Sequence, residues 1–224
     1  MRNLKALGLA LVAAFAMSAV VASAASAAEF RAESTPVTLT GAQEGQDVFE
    51  TDAGEVECTE ATYHGTQSVS PAASVEVAPT YSGCSALFGT PAEVIPNGCK
   101  YRFKITSETS ATTSHGTVDI VCPVGKEITV TVKGTFGSST HKCTVHIPSQ
   151  NGIAGITYTS EGTKSGRYVM VDVNANTIKY SQTAGTGLGA CSNASNTTNG
   201  IYIGQSKVTG EVDGGSGAIG VWVG

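Results

Sequence analysis

The chain has 224 residues, of which 41% are hydrophobic, only 14% are charged and 27 are glycine; an average soluble domain is about 25% charged. With 13 Lys+Arg against 18 Asp+Glu the net charge is −5, the wrong sign for electrostatic capture of nucleic acid. The scarcity of charged helix formers also excludes a coiled coil, a helical bundle or a charged disordered tail.

Residues 1–27 have the three parts of a signal peptide. Arg2 and Lys5 supply a positive start, residues 7–21 are uncharged and rich in Ala, Leu and Val, and Ala25-Ser26-Ala27 ends in the small-x-small pattern that signal peptidase cuts. Cleavage is expected near Ala27 or Ala28. It leaves 11 Lys+Arg against 18 Asp+Glu, a net charge of −7. No cysteine precedes Cys58, so a lipid anchor at the cleavage junction is not expected, and no second apolar span follows. The expected product is secreted, extracellular or associated with the cell surface, with no transmembrane segment in the mature chain.

The mature chain opens on an acidic stretch. Nine of the 18 carboxylates lie in residues 29–60, with Arg31 as their only counter-charge. No D-x-D-x-D-G calcium loop is present there, so this stretch reads as a negatively charged wet surface. Beyond it, apolar residues recur every second position. Tyr101, Phe103 and Ile105 alternate with Arg102, Lys104 and Thr106; Ile128, Val130 and Val132 with Thr129, Thr131 and Lys133; Val169, Val171 and Val173 with Met170, Asp172 and Asn174. That period predicts half-buried strands with one face toward water. Turn signals fall at Gly41–Gly45, Asp52–Gly54, Pro96–Gly98, Pro123–Gly125, Gln150–Gly152, Asn199–Gly200 and Asp213–Gly215. The fold expected is all-β, an antiparallel β-sandwich of Ig-like or Greek-key type. It is built as a first β region at 28–134 and a second at 135–224, or as one continuous domain at 28–224.

The cysteines are Cys58, Cys84, Cys99, Cys122, Cys143 and Cys191. Cys58, Cys99, Cys122 and Cys143 share parity with the inward apolar residues of their strands. In an exported chain this even count predicts three disulfides, with about 15 connectivities open in principle. A loose recurrence biases the choice. Cys58, Thr62-Tyr63, Val75-Glu-Val77, Tyr81, Cys84 and Asn97-Gly98 are followed in the same order by Cys143, Thr157-Tyr158, Val171-Asp-Val173, Tyr180, Cys191 and Asn199-Gly200. If this is a duplication, Cys58–Cys84 and Cys143–Cys191 are equivalent pairs and Cys99–Cys122 remains.

Signals for chemistry are sparse. The histidines are His64, His115, His141 and His146. On a regular strand His141 and Cys143 of His141-Lys-Cys143-Thr-Val-His146 share a face while His146 points away, so no metal site and no cofactor are expected. No nucleophile elbow, H-E-x-x-H, P-loop or dinucleotide fingerprint occurs; Gly214-Gly-Ser216-Gly217-Ala218 is one glycine short of an elbow. Asp119 is expected to face outward as a solvated carboxylate. Trp222 is the single tryptophan and the one proposed ligand contact, while Tyr63, Tyr158, Tyr168 and Tyr202 are readable as core or as a binding platform. The function expected is that of a non-catalytic exported protein with an envelope, adhesion or ligand-binding role. Its partner would be a cell-envelope glycan or a surface protein. The alternatives are a secreted hydrolase joining Asp119 or Asp172 to a histidine and a serine, and a disulfide-stapled protease inhibitor presenting residues 85–96.

Five segments carry a resemblance: Phe49-Glu-Thr-Asp-Ala-Gly54-Glu-Val-Glu-Cys58, Asn97-Gly-Cys99-Lys-Tyr-Arg-Phe103, Gly116-Thr-Val-Asp-Ile-Val-Cys122-Pro-Val-Gly-Lys126, Cys143-Thr-Val-His-Ile-Pro148-Ser-Gln150 and Ile219-Gly-Val-Trp-Val223. Through them the mature chain resembles a group of uncharacterised secreted β-rich proteins of high-GC Gram-positive bacteria. The resemblance implies secretion and β architecture and brings no activity or site residue with it.

Overall fold

Alternating residues become antiparallel strands throughout the computed structural model, which describes residues 28–134, 141–186, 190–215 and 217–224. The expected signal segment, residues 1–27, and Ser216 of the glycine-rich turn lie outside the described residues. The strands are β1 (Phe30–Ala32), β2 (Val37–Gln43), β3 (Asp47–Thr51), β4 (Gly54–Gln67), β5 (Ser74–Ala86), β6 (Thr90–Ile95), β7 (Lys100–Ser110) and β8 (Thr113–Val121). They continue with β9 (Ile128–Lys133), β10 (His141–Ile147), β11 (Gln150–Glu161), β12 (Tyr168–Ala184), β13 (Ala194–Val212), β14 (Ala218–Ile219) and β15 (Val221–Val223). No α-helix occurs among the described residues, and none of them forms a helix long and apolar enough to cross a membrane.

The sheets pack as a sandwich whose layers are hydrogen-bonded to each other at both edges. One layer holds the long strands β5, β4, β13 and β12, with β2 and β3 placed end to end between β4 and β13. In the facing layer β7, β8 and β11 run from residues 74–77 of β5 to residues 168–173 of β12. Beside them β6, β9 and β10 run from residues 85–86 of β5 to residues 181–184 of β12. Each level is thus a closed circuit of eight strands, β5-β4-β2-β13-β12-β11-β8-β7 and β5-β4-β3-β13-β12-β10-β9-β6. Closure leaves few free strand edges, and about eight strands enclose room for side chains or for one small ligand. Hydrogen bonding joins strands before and after residue 134 at two ladders in each circuit, β2–β13 and β8–β11 in one, β3–β13 and β9–β10 in the other.

Strand parity places the core. Ile128, Val130, Val169 and Val171 are buried, and Ile156 and Tyr158 are each 1% exposed. The two-stranded β1–β15 ladder brings Phe30, Val221 and Val223 into this core. The Phe30 ring meets Tyr158 edge-on at 5.3 Å.

The disulfides join Cys58 to Cys84, Cys99 to Cys122 and Cys143 to Cys191, the same pairs as the recurrence implies. Their positions are not equivalent, however. Cys58 and Cys84 face each other across the β4–β5 ladder, whereas Cys143 in β10 reaches the segment that precedes β13. Three such bonds point to an oxidising compartment.

Three turn expectations and one orientation need correction. Residues 41–43 belong to β2, residues 150–152 open β11, and Asn199-Gly200 lies within β13. At the last two places the pairing register shifts, so these glycine dipeptides mark bulges rather than hairpin turns. Asp119 is not a solvated carboxylate: it is 1% exposed. It does point away from Val118 and Ile120, but that outer surface is covered. The Lys104 ammonium donates to its Oδ2, and the Gly152 backbone N–H, carried in by the β11 bulge, donates to Oδ1 at 2.9 Å.

Burial alone would raise the Asp119 pKa. The Lys104 hydrogen bond, the Gly152 amide and the positive charges of Lys104 and Arg102 outweigh it and hold the carboxyl below its ordinary range. The pair therefore stabilises the fold at neutral pH, and this contribution is lost on acidification as pH falls from the ordinary carboxylate range through the depressed folded value. Lys104→Met should destabilise by about 2 kcal/mol, less than a fully buried pair would lose because Lys104 is 41% exposed. Urea unfolding at pH 7 checks this, with Lys104→Met/Asp119→Asn expected to recover most of the loss. A single variant as stable as wild type would show that the buried charge needs no partner.

Candidate functional site

Several side chains face the interior without being packed shut. Phe49, Val75, Val94, Phe103, Val173 and Val208 sit against the buried core yet keep accessible surface. They keep it because the space between the layers is a cavity of about 140 Å³, bounded by residues of both layers and almost wholly apolar. Native cores normally close-pack with few voids larger than a water molecule, so a hollow of this size is a built feature of the fold.

A polar cluster interrupts the apolar wall where β2 gives way to β3. Asp47, the first residue of β3, is 3% exposed and lines the cavity. Tyr63 of β4 donates to its Oδ2 at 3.1 Å, and the Tyr63 and Tyr202 hydroxyls lie 3.1 Å apart. Tyr81 of β5 and Tyr101 of β7 share a second hydroxyl pair at 2.8 Å, and their rings lie 6.4 and 6.3 Å from that of Tyr63. All four tyrosines border the cavity. Gly204 of β13 makes room for the carboxylate: a Cβ there would lie 2.1 Å from Asp47 Oδ1.

The electrostatics follow from enclosure. Burial raises the Asp47 pKa above its ordinary value, while hydrogen bonding from Tyr202 and Tyr63 and the Gln205 backbone draws it partly back. Burial likewise lifts the tyrosines, Tyr101 to about 12 and Tyr63, Tyr81 and Tyr202 well above the ordinary phenol value. These hydroxyls remain protonated at any physiological pH and act as neutral hydrogen-bonding groups. Asp47 Oδ1 has no aligned hydrogen-bond partner among the described residues.

No protein-family model, curated protein or solved structure matches the chain. The site therefore rests on its own geometry.

The residues singled out in the sequence are dispersed. Trp222 lies opposite Arg31 on the β1–β15 ladder and borders the cavity, with the Arg167 guanidinium 4.9 Å from its ring centroid. Tyr158 is core, Tyr63 and Tyr202 line the cavity, and Tyr168 lies on the outside under the Lys207 ammonium at 4.1 Å. Among the described residues neither Asp119 nor Asp172 meets a histidine. Asp119 is held by Lys104, and Asp172 accepts from Gln205. His115 contacts Thr157, and His146 pairs with Glu127 at 2.6 Å on an outer face. All six cysteines are consumed in disulfides. Of residues 85–96 only Leu87–Gly89 and Pro96 lie outside the strands, with Phe88 95% exposed in a left-handed conformation.

Asp47, Tyr81, Tyr101 and Gly204 went unrecognised as site residues. For Asp47 a signal existed: it shares strand parity with Phe49, so a Phe49 that turns inward brings Asp47 with it.

Proposed function

We propose that the chain is an exported, non-catalytic binding protein that takes a small, mainly apolar ligand into its interior, acting outside the cell or at its surface. The observation that carries this reading is the apolar cavity of about 140 Å³ inside a closed strand circuit. A cavity of about 150 Å³ lined by aliphatic and aromatic groups takes up benzene. An apolar interior favours a hydrophobic ligand over a glycan, whose hydroxyls need a partner each. The signal-like residues 1–27 and the three disulfides support export.

Benzene and toluene are the probes to use. A ligand at about 100 times its Kd adds roughly 2.7 kcal/mol to stability, about 5–10 °C in the Tm of a domain of this size. Trp222 borders the cavity and, as the single tryptophan, is a built-in fluorescence reporter. A rise in Tm with a saturable change in its emission is expected. An unchanged Tm and emission at saturating benzene and toluene would sink the proposal.

A further inference from the structure

We propose that the cavity is an amine site: its ligand is a small apolar body, about the size of one aromatic ring, carrying one primary or secondary ammonium group that docks on Asp47. This rests on the binding reading above and specifies the chemistry of the bound molecule.

The argument is an inventory of protons. The Tyr63 hydroxyl has one hydrogen, and it goes to Asp47 Oδ2. Tyr202, 3.1 Å from Tyr63, has one hydrogen to divide between the Tyr63 oxygen and Asp47, and its own oxygen keeps lone pairs free. Oδ1 of a carboxylate that is 3% exposed still has no aligned donor among the described residues. The cluster therefore offers more acceptor sites than aligned donors, and an unpaired buried acceptor is costly.

Charge sharpens the choice. Among the described residues no cationic side chain forms an ion pair with Asp47. Arg31, the cation on the cavity wall, donates instead to the Gly224 carbonyl and lies 3.9 Å from Glu29. An ammonium supplies a positive charge and several donors at once, so it can meet Oδ1 and a tyrosine oxygen together. Tyr63, Tyr81, Tyr101 and Tyr202 line the same space, and aromatic rings attract cations over their faces. A neutral hydroxyl would meet Oδ1 but leave the carboxylate charge unbalanced.

The experiment compares benzylamine, benzyl alcohol and toluene by calorimetry at pH 7 on the mature chain and on Asp47→Asn. Wild type should bind benzylamine about tenfold or more tightly than either other probe. Asp47→Asn should erase that preference and leave toluene within about threefold of wild type. Its thermal midpoint should be no lower than that of wild type, because it removes an unbalanced buried charge. Benzylamine no tighter than toluene, benzyl alcohol as the tightest probe, or a preference that survives Asp47→Asn would each overturn the amine assignment while leaving the cavity reading in place. Failure of all three probes would overturn both. The wild-type ranking tests the assignment without relying on the variant to fold.

Discussion

Replacing Cys143 and Cys191 together by alanine should lower the thermal midpoint by about 8–16 °C, the largest effect expected of any single disulfide. The bond spans 48 residues of sequence, against 26 for Cys58–Cys84 and 23 for Cys99–Cys122. Constraint of the unfolded chain grows with the logarithm of loop length, so the three bonds contribute about 4, 3.5 and 3.5 kcal/mol respectively on the chain-entropy account. At about 2–4 °C per kcal/mol for a domain of this size, the first figure gives the stated shift. Position widens the difference. Cys58 and Cys84 already face each other in a long β4–β5 ladder, which would hold them near without the bond. Cys191 lies outside any strand and is tied to β10 by its bond and by one backbone hydrogen bond, from its N–H to the Lys142 carbonyl at 3.1 Å. Calorimetry of the two double-alanine variants side by side checks this. A smaller loss for Cys143/Cys191 than for Cys58/Cys84 would overturn both the loop-length and the ladder argument.

Period-two alternation carried most of the architecture because it is a local property. It placed Ile128 and Val130, or Val169 and Val171, on the buried side from neighbouring residues alone. It could not show that the two layers join at both edges. That depends on β5 and β12 each accepting two successive partners along one side, a pairing choice made between residues far apart in the chain. Nor could it show the site. Asp47 was one of nine carboxylates in an acidic stretch, and what lets it turn inward is the missing side chain of Gly204, more than a hundred residues away. Asp119 failed for a related reason. Its parity was read correctly, but the surface it faces is roofed by Lys104 and by the Gly152 bulge. Where the alternation itself broke, at the Asn-Gly pairs of residues 151–152 and 199–200, the glycine was taken for the end of a strand when it marks a bulge within one.

The Gly155 bulge shows how much depends on such a break, and Gly155→Ala should cost about 3 kcal/mol or more. Ile153 and Ile156 are both buried although three positions apart, which a regular strand forbids. The register shift between Ala154 and Ile156 restores the inward parity, so that Ile156 and Tyr158 enter the core. Gly155 meets two separate demands there. Its φ is +96°, which an L side chain adopts only with strain, and an added Cβ would lie 2.0 Å from the Asn174 carbonyl oxygen of β12. That oxygen is backbone, so relief requires separating β11 from β12 or undoing the bulge and turning Ile156 outward. Gly214 supplies the control. Its φ of +70° imposes strain, but nothing lies within 4 Å of its Cβ position. Gly214→Ala should therefore cost only about 1 kcal/mol, the conformational part alone. Urea unfolding of the two variants separates strain from collision. Equal losses would mean that the β11–β12 contact yields freely, and the inward register of Ile156 and Tyr158 would then need another cause.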